Sequence, residues 1–284
     1  MMGRKAFSSQ APIRGHAAVL VIHKEQMVVF EENAVQAFED RTYAHLLEYF
    51  PRHCELLGEK QMRRVIRHGW EKAKSYNLLA ECCVRSYIDL MCVLGGEFDT
   101  DPLLPWAAGI LRAETIEGDV VRGDQLYTRA WEYIGHIALD YRDAAGNPTT
   151  TRFVNELRWI RQASDSSLTS ATWSAFAESL QARLVAAFPA KCAYVGAENV
   201  ARTIKHGTAQ AERYEITSER GVTLVTALRF VLGAGFDTDP LLPWAASCLN
   251  DATLPSQHKR TDRLFAEGVS FLKRWWESAP DLEG

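Results

Sequence analysis

Apolar residues recur three to four apart along most of the chain, a spacing that predicts amphipathic helices. Val35, Phe38, Thr42, Leu46 and Tyr49 form one such stripe, and Trp173, Phe176, Leu180, Leu184 and Ala187 form another. Each marks a helix with one apolar face, ended at Pro51 or Pro189 because proline lacks the N–H a helix interior needs. Met62, Val65, Ile66, Gly69, Ala73 and Tyr76 mark a second helix, and Val200, Thr203, Ile204, Gly207, Ala211 and Tyr214 mark its counterpart. A glycine inside a helix costs about 1 kcal/mol relative to alanine, so Gly69 and Gly207 predict a second helix crossing close to each. Third helices are predicted over 81–94 and 219–232. Gly95 and Gly233 stand as their C-terminal stops, with Thr217 or Ser218 as an N-cap. Asp101–Pro102 and Asp239–Pro240 read as helix starts, a capping carboxylate followed by a first-turn proline. Final helices are predicted over about 119–139 and 260–276. Only Ala18–Ile22 reads as extended, so the predicted fold class is all-α.

These stripes come in pairs because the sequence resembles itself. GEFDTDPLLPWAAGIL at 96–111 recurs as AGFDTDPLLPWAASCL at 234–249, an offset of 138. At that offset Phe50–Leu111 aligns without a gap to Phe188–Leu249, with 28 of 62 positions identical, far above chance for unrelated segments. The expected organisation is therefore a tandem repeat of two similar helical bundles. Residues 1–25 form an N-terminal extension, 26–138 the first copy, 139–164 a linker, 165–278 the second copy and 279–284 a tail. Gly146–Asn147–Pro148 reads as a break inside the linker, with a short helix possible over Phe153–Ile160.

Composition narrows the function classes. Apolar residues make up 47% and charged residues 24% of the 284, which excludes a disordered or collagen-like chain. A net charge of −4 provides no global basic field for nucleic acid. No apolar run reaches the roughly 18–20 residues of a membrane helix. Cys54, Cys82, Cys83, Cys92, Cys192 and Cys248 form no CxxC pair. With no convincing signal peptide, reduced thiols in a cytoplasm are expected.

No HExxH, GxSxG, Gly-rich phosphate loop or CxxC appears, so neither a metal nor a cofactor is expected and the chain reads as a non-enzyme. The duplicated residues remain the candidates. Asp99/Asp101 and Asp237/Asp239 could serve a cation or acid–base chemistry, or cap a helix and anchor a loop. Leu104 and Trp106, with Leu242 and Trp244, suit either a core or a binding rim. Arg63 and Arg67 lie on a basic helix face with Arg64, Lys72 and Lys74, either solvated or meeting an acidic partner. His68 and His206 occupy equivalent places. These ten, Asp99, Asp101, Leu104, Trp106, Asp237, Asp239, Leu242, Trp244, Arg63 and Arg67, are the expected partner-binding set.

LVIHKEQM (20–27), FEDRTYAHLLEYFPRHCELLGE (38–59), VIRHGWEKAKSY (65–76), YIDLMCVLGGEFDTDPLLPWA (87–107) and DQLY (124–127) together resemble small bacterial proteins encoded beside the spike (VgrG), PAAR tip and effectors of type VI secretion systems. The resemblance covers the first copy almost completely and reaches the second through it. It implies an accessory role. The first expectation is an adaptor or chaperone that helps load an effector onto the spike, with a secreted effector toxin, and VgrG or PAAR, as protein partners. A cytoplasmic immunity protein and an enzyme using the Asp pairs are the alternatives.

Overall fold

In the computed structural model, residues 24–116, 118–142, 145, 156 and 159–277 are described. They build eleven principal α-helices with short 3-10 turns between them. These are α1 Lys24–Tyr49, α2 Pro51–Ser75, α3 Glu81–Leu94, α4 Pro105–Leu111, α5 Asp119–Ile137 and α6 Trp173–Ala187, followed by α7 Pro189–Val195, α8 Ala197–Arg213, α9 Glu219–Leu232, α10 Pro243–Leu249 and α11 Gln257–Glu277. The all-α expectation holds, and no strand occurs among the described residues. Residues 1–23 with the Ala18–Ile22 stretch, the 146–148 break, most of 153–160 and the 279–284 tail lie outside them.

The chain divides into two compact units, Met1–Phe38 and Glu39–Gly284. Both matched segments, Phe50–Leu111 and Phe188–Leu249, therefore lie within the second. Several helix boundaries recur at the 138-residue offset. α3 and α9 pair as 81–94 and 219–232, and α4 and α10 as 105–111 and 243–249. Pro51 and Pro189 open helices as first-turn residues, where the missing N–H costs nothing. Gly58, at φ +73, kinks α2 where Gly196, at φ +83, separates α7 from α8.

The mid-helix glycines mark the expected close crossings. A Cβ at Gly69 would lie 2.6 Å from Ile88 of α3, and one at Gly207 would lie 2.9 Å from the Cβ of Thr226 of α9. Met62, Ile66, Ile88, Met91 and Leu46 of the first segment, and Val200, Ile204, Val225, Leu228 and Phe230 of the second, are all buried.

One local expectation is corrected. The helices after the Asp–Pro pairs start at Pro105 and Pro243, not at Pro102 and Pro240. Asp101 and Asp239 instead accept from the N–H two residues on, Leu103 and Leu241, each at 2.8 Å. They cap a turn, and a second proline opens the helix.

Candidate functional site

The two segments meet where the stops after α3 and α9 face each other. Gly95 has φ +98 and Gly233 has φ +103, a region costly for any residue with a Cβ. The backbones also touch there. A Cβ on Gly95 would sit 2.8 Å from the Leu232 carbonyl oxygen, and one on Gly233 would sit 3.2 Å from that of Leu94. Glycine is thus required twice, for conformation and for approach.

This contact lets the aspartates reach across. Asp101 accepts the Ala234 N–H at 2.9 Å with one oxygen while the other holds Leu103. Asp239 accepts the Gly96 N–H at 2.6 Å while its other oxygen holds Leu241. Each segment thereby satisfies a buried backbone donor of the other, and such bonds to a charged group are stronger than neutral ones. Burial raises the Asp239 carboxyl above its usual range despite those two N–H groups.

Asp99 and Asp237 tie the same loop back to α2 and α8. Asp99 accepts from the Tyr76 hydroxyl at 2.8 Å and from Lys72 at 3.1 Å. Asp237 accepts from the Tyr214 hydroxyl at 2.8 Å and from Arg213 at 3.3 Å. All four carboxylates are buried and engaged within the chain. The cation-binding and acid–base uses therefore find no open carboxylate here.

Between the loops, Glu97 lies over Gly235, where a Cβ would come 2.2 Å from its side chain. Its carboxylate meets Lys72 at 2.6 Å and His68 at 3.3 Å. Burial works to raise the Glu97 carboxyl, but His68 and Lys72 outweigh it and hold it below the usual range. The Glu97 hydrogen bond raises His68. Burial, followed by the charge of Arg229, lowers His206.

The other predicted residues divide. Leu104 and Leu242 are buried. Trp106 and Trp244 are half-buried, and each indole N–H is sealed inside without an acceptor among the described residues. Arg63 pairs with Asp40 at 2.7 Å and Glu59 at 2.8 Å. Arg67 is exposed but pairs with the buried Glu39. The basic face is thus largely neutralised within the chain. Of the ten expected partner-binding residues, Asp99, Asp101, Leu104, Asp237, Asp239 and Leu242 are internal to the fold.

Two hollows lie near the junction. One is a cavity of about 190 Å³ where α2, α3, α9 and α11 converge. The other is a cleft of about 620 Å³ between α4, α5 and α7, lined by Trp106, Arg129, Glu132, His136 and Tyr194. On the outer face of α5, Val120, Tyr127 and Trp131 are 58%, 46% and 57% exposed. The Tyr127 and Trp131 rings stack edge to face at 5.9 Å. The periodic reading missed this face, although the spacing of 120, 127 and 131 puts three large apolar residues on one face, about a quarter turn from the buried Leu126–Ala130 stripe. In α11 the same positions carry His258, Phe265 and Val269. No metal-holding cluster of three or more His, Cys, Asp or Glu occurs among the described residues, and no helix among them is long and apolar enough to cross a membrane. The chain matches no family model, no curated protein and no solved structure.

Proposed function

We propose that the chain is a non-enzymatic protein-binding factor whose docking face is the outer side of α5. The observation that carries this reading is the exposed, mutually stacked pair Tyr127 and Trp131 beside Val120. Aromatic residues of this kind are the usual anchors of protein interfaces, and solvent exposure of three large apolar side chains on one helix face otherwise gains nothing. The resemblance to proteins encoded beside type VI secretion spikes supplies the class of partner. The partner is a secreted effector toxin, with or without VgrG or PAAR, and the chain acts as its loading adaptor or chaperone in the cytoplasm.

The test is co-purification of the tagged full-length protein from its native host, beside a Tyr127→Ala/Trp131→Ala variant with an unchanged melting temperature. Recovery of an effector by the parent, with at least a tenfold loss in the variant, supports the proposal. Equal recovery by both removes α5 as the face, and recovery of no secretion protein removes the adaptor reading. An immunity protein is separated by rescue, because it would protect cells that express the effector internally and a loading adaptor would not.

A further inference from the structure

The two flanks of the junction occupy matched positions but are filled differently. At one flank the Lys191 ammonium donates to the Phe230 carbonyl and lies 4.6 Å from the centre of the Phe230 ring. That ring is fully buried and packs on Phe188 at 5.5 Å. At the other flank His53 and Cys92 hold the same two positions. His53 Nε2 lies 3.0 Å from the Cys92 carbonyl oxygen, and the imidazole stands edge-on to Trp275 at 4.4 Å.

A thiol therefore takes the place of a phenyl ring, and the cavity of about 190 Å³ lies beside it. Its walls include His53, Leu57, Cys92, Leu242, Phe271 and Trp275. An apolar cavity of about 150 Å³ is enough to admit benzene. The walls are not purely apolar. A carbonyl oxygen can only accept, so Nε2 of His53 carries the proton and Nδ1 is left as an acceptor. Burial lowers His53 to about 4, so the ring is neutral at pH 7. No Lys or Arg lines the cavity, whereas Asp239 does, which disfavours an anionic guest.

We propose that this cavity binds a small neutral aromatic molecule, a single ring carrying a hydroxyl or N–H group, with the ring against Cys92, Phe271 and Trp275 and the donor hydrogen-bonded to His53. This goes beyond the docking role of α5 and uses different residues, so either can fail without the other. The occupant is a free molecule, because the space holds one ring and its walls come from both segments.

The test uses the full chain and three probes, phenol, toluene and benzoate, followed by calorimetry and thermal melting. Phenol is expected to bind saturably and raise the melting temperature. Toluene, lacking the donor, should bind about tenfold more weakly, and benzoate should not bind. Cys92→Phe installs the residue of the matched position. It should keep the fold and weaken phenol binding by more than tenfold. If that variant does not fold, Cys92→Leu serves the same purpose with a smaller side chain. No saturable phenol binding, equal binding of benzoate, or undiminished binding by the filled variant would each overturn the proposal. Equal binding of toluene and phenol would overturn the role given to His53.

Discussion

The surroundings of Asp99 and Asp237 are the most instructive pair in the molecule. Both carboxylates take a tyrosine hydroxyl at 2.8 Å, and both loops continue into an aspartate that crosses the junction. Behind them the compensation of charge differs. The first segment uses Lys72, Glu97 and His68, three ionisable groups meeting at the junction. The second has Gln210 and Gly235 in two of those places and draws in Arg229, which stands where the first has Met91. Arg229 donates to Gln210 at 3.0 Å and to the Ala234 carbonyl at 2.7 Å. The backbone-holding carboxylates and tyrosines are common to both sides, while the charges around them have been exchanged. A single Glu97 over Gly235 is also the arrangement that avoids two carboxylates at one contact.

The largest expected effect tests the common part. Asp101→Ala and Asp239→Ala each strand two N–H groups, one of them a buried donor of the opposite segment, and each should lower stability by about 2–5 kcal/mol in urea unfolding. A loss under about 1 kcal/mol would show that the crossing bonds do not hold the junction. Conversely, Lys72→Gln should be milder than either, since the second segment already carries glutamine there.

Acid should then separate the two histidines of the first segment. His53 is held at about 4 against an ordinary 6.5. Below pH 6.5 the unfolded chain takes up a proton that the fold refuses, so stability falls between pH 6.5 and about 4 and then levels off. The shift corresponds to about 3 kcal/mol. His68 has the opposite sign. Its raised value gives stability that is complete below 6.5 and lost as pH rises through the folded value. Unfolding curves of His53→Gln should be flatter in acid than those of the parent, and a slope unchanged by that variant would contradict the assignment.

Smaller effects come from the helix crossings and caps. Gly207→Ala meets the Thr226 backbone at 3.0 Å, whereas Gly69→Ala meets only side-chain atoms of Ile88 and Met91. The former should cost more, about 1–3 kcal/mol, with the difference read from midpoint shifts. Ser218 caps α9 through its hydroxyl to Gly221, and Ala80 stands at the matched place before α3. Ser218→Ala should cost about 1 kcal/mol and Ala80→Ser should gain up to that amount. Equal stability of parent and both variants would place the capping elsewhere, in the bonds that the Leu79 and Ala80 N–H groups donate to Asp119 and those that the Thr217 and Ser218 N–H groups donate to the Gln257 side-chain oxygen.

Much of this architecture was legible in the pattern of apolar residues. Cap and glycine-stop signals placed α3 and α9 at about their observed bounds, and Gly69 and Gly207 announced close crossings, because local spacing and steric demand act through neighbours in the chain. The roles of Asp101 and Asp239 were half visible. A carboxylate before proline signals a nearby N–H, but its second oxygen is assigned by a segment over a hundred residues away, which no local pattern encodes. His53 and Cys92 went unread in the sequence, although they differ from Lys191 and Phe230 at the matched offset, because their meaning depends on walls contributed by α9 and α11. The exposed face of α5 went unread because a helix pattern identifies the buried stripe and leaves the remaining face unexamined.

The reciprocal aspartates also impose an order of events at the ribosome. Asp101 finds its Ala234 partner 133 residues later in the chain. At about 5–20 residues per second that is a wait of roughly 7–27 s. During the interval the first segment has its own turn to Leu103 but no donor for the second oxygen, and the Gly96 N–H waits longer still for Asp239. The junction therefore closes only after nearly all of the second segment has been made. A nascent chain halted between the segments would display both the open α3 stop and an unsatisfied carboxylate, the features a folding chaperone or a second nascent chain would encounter first.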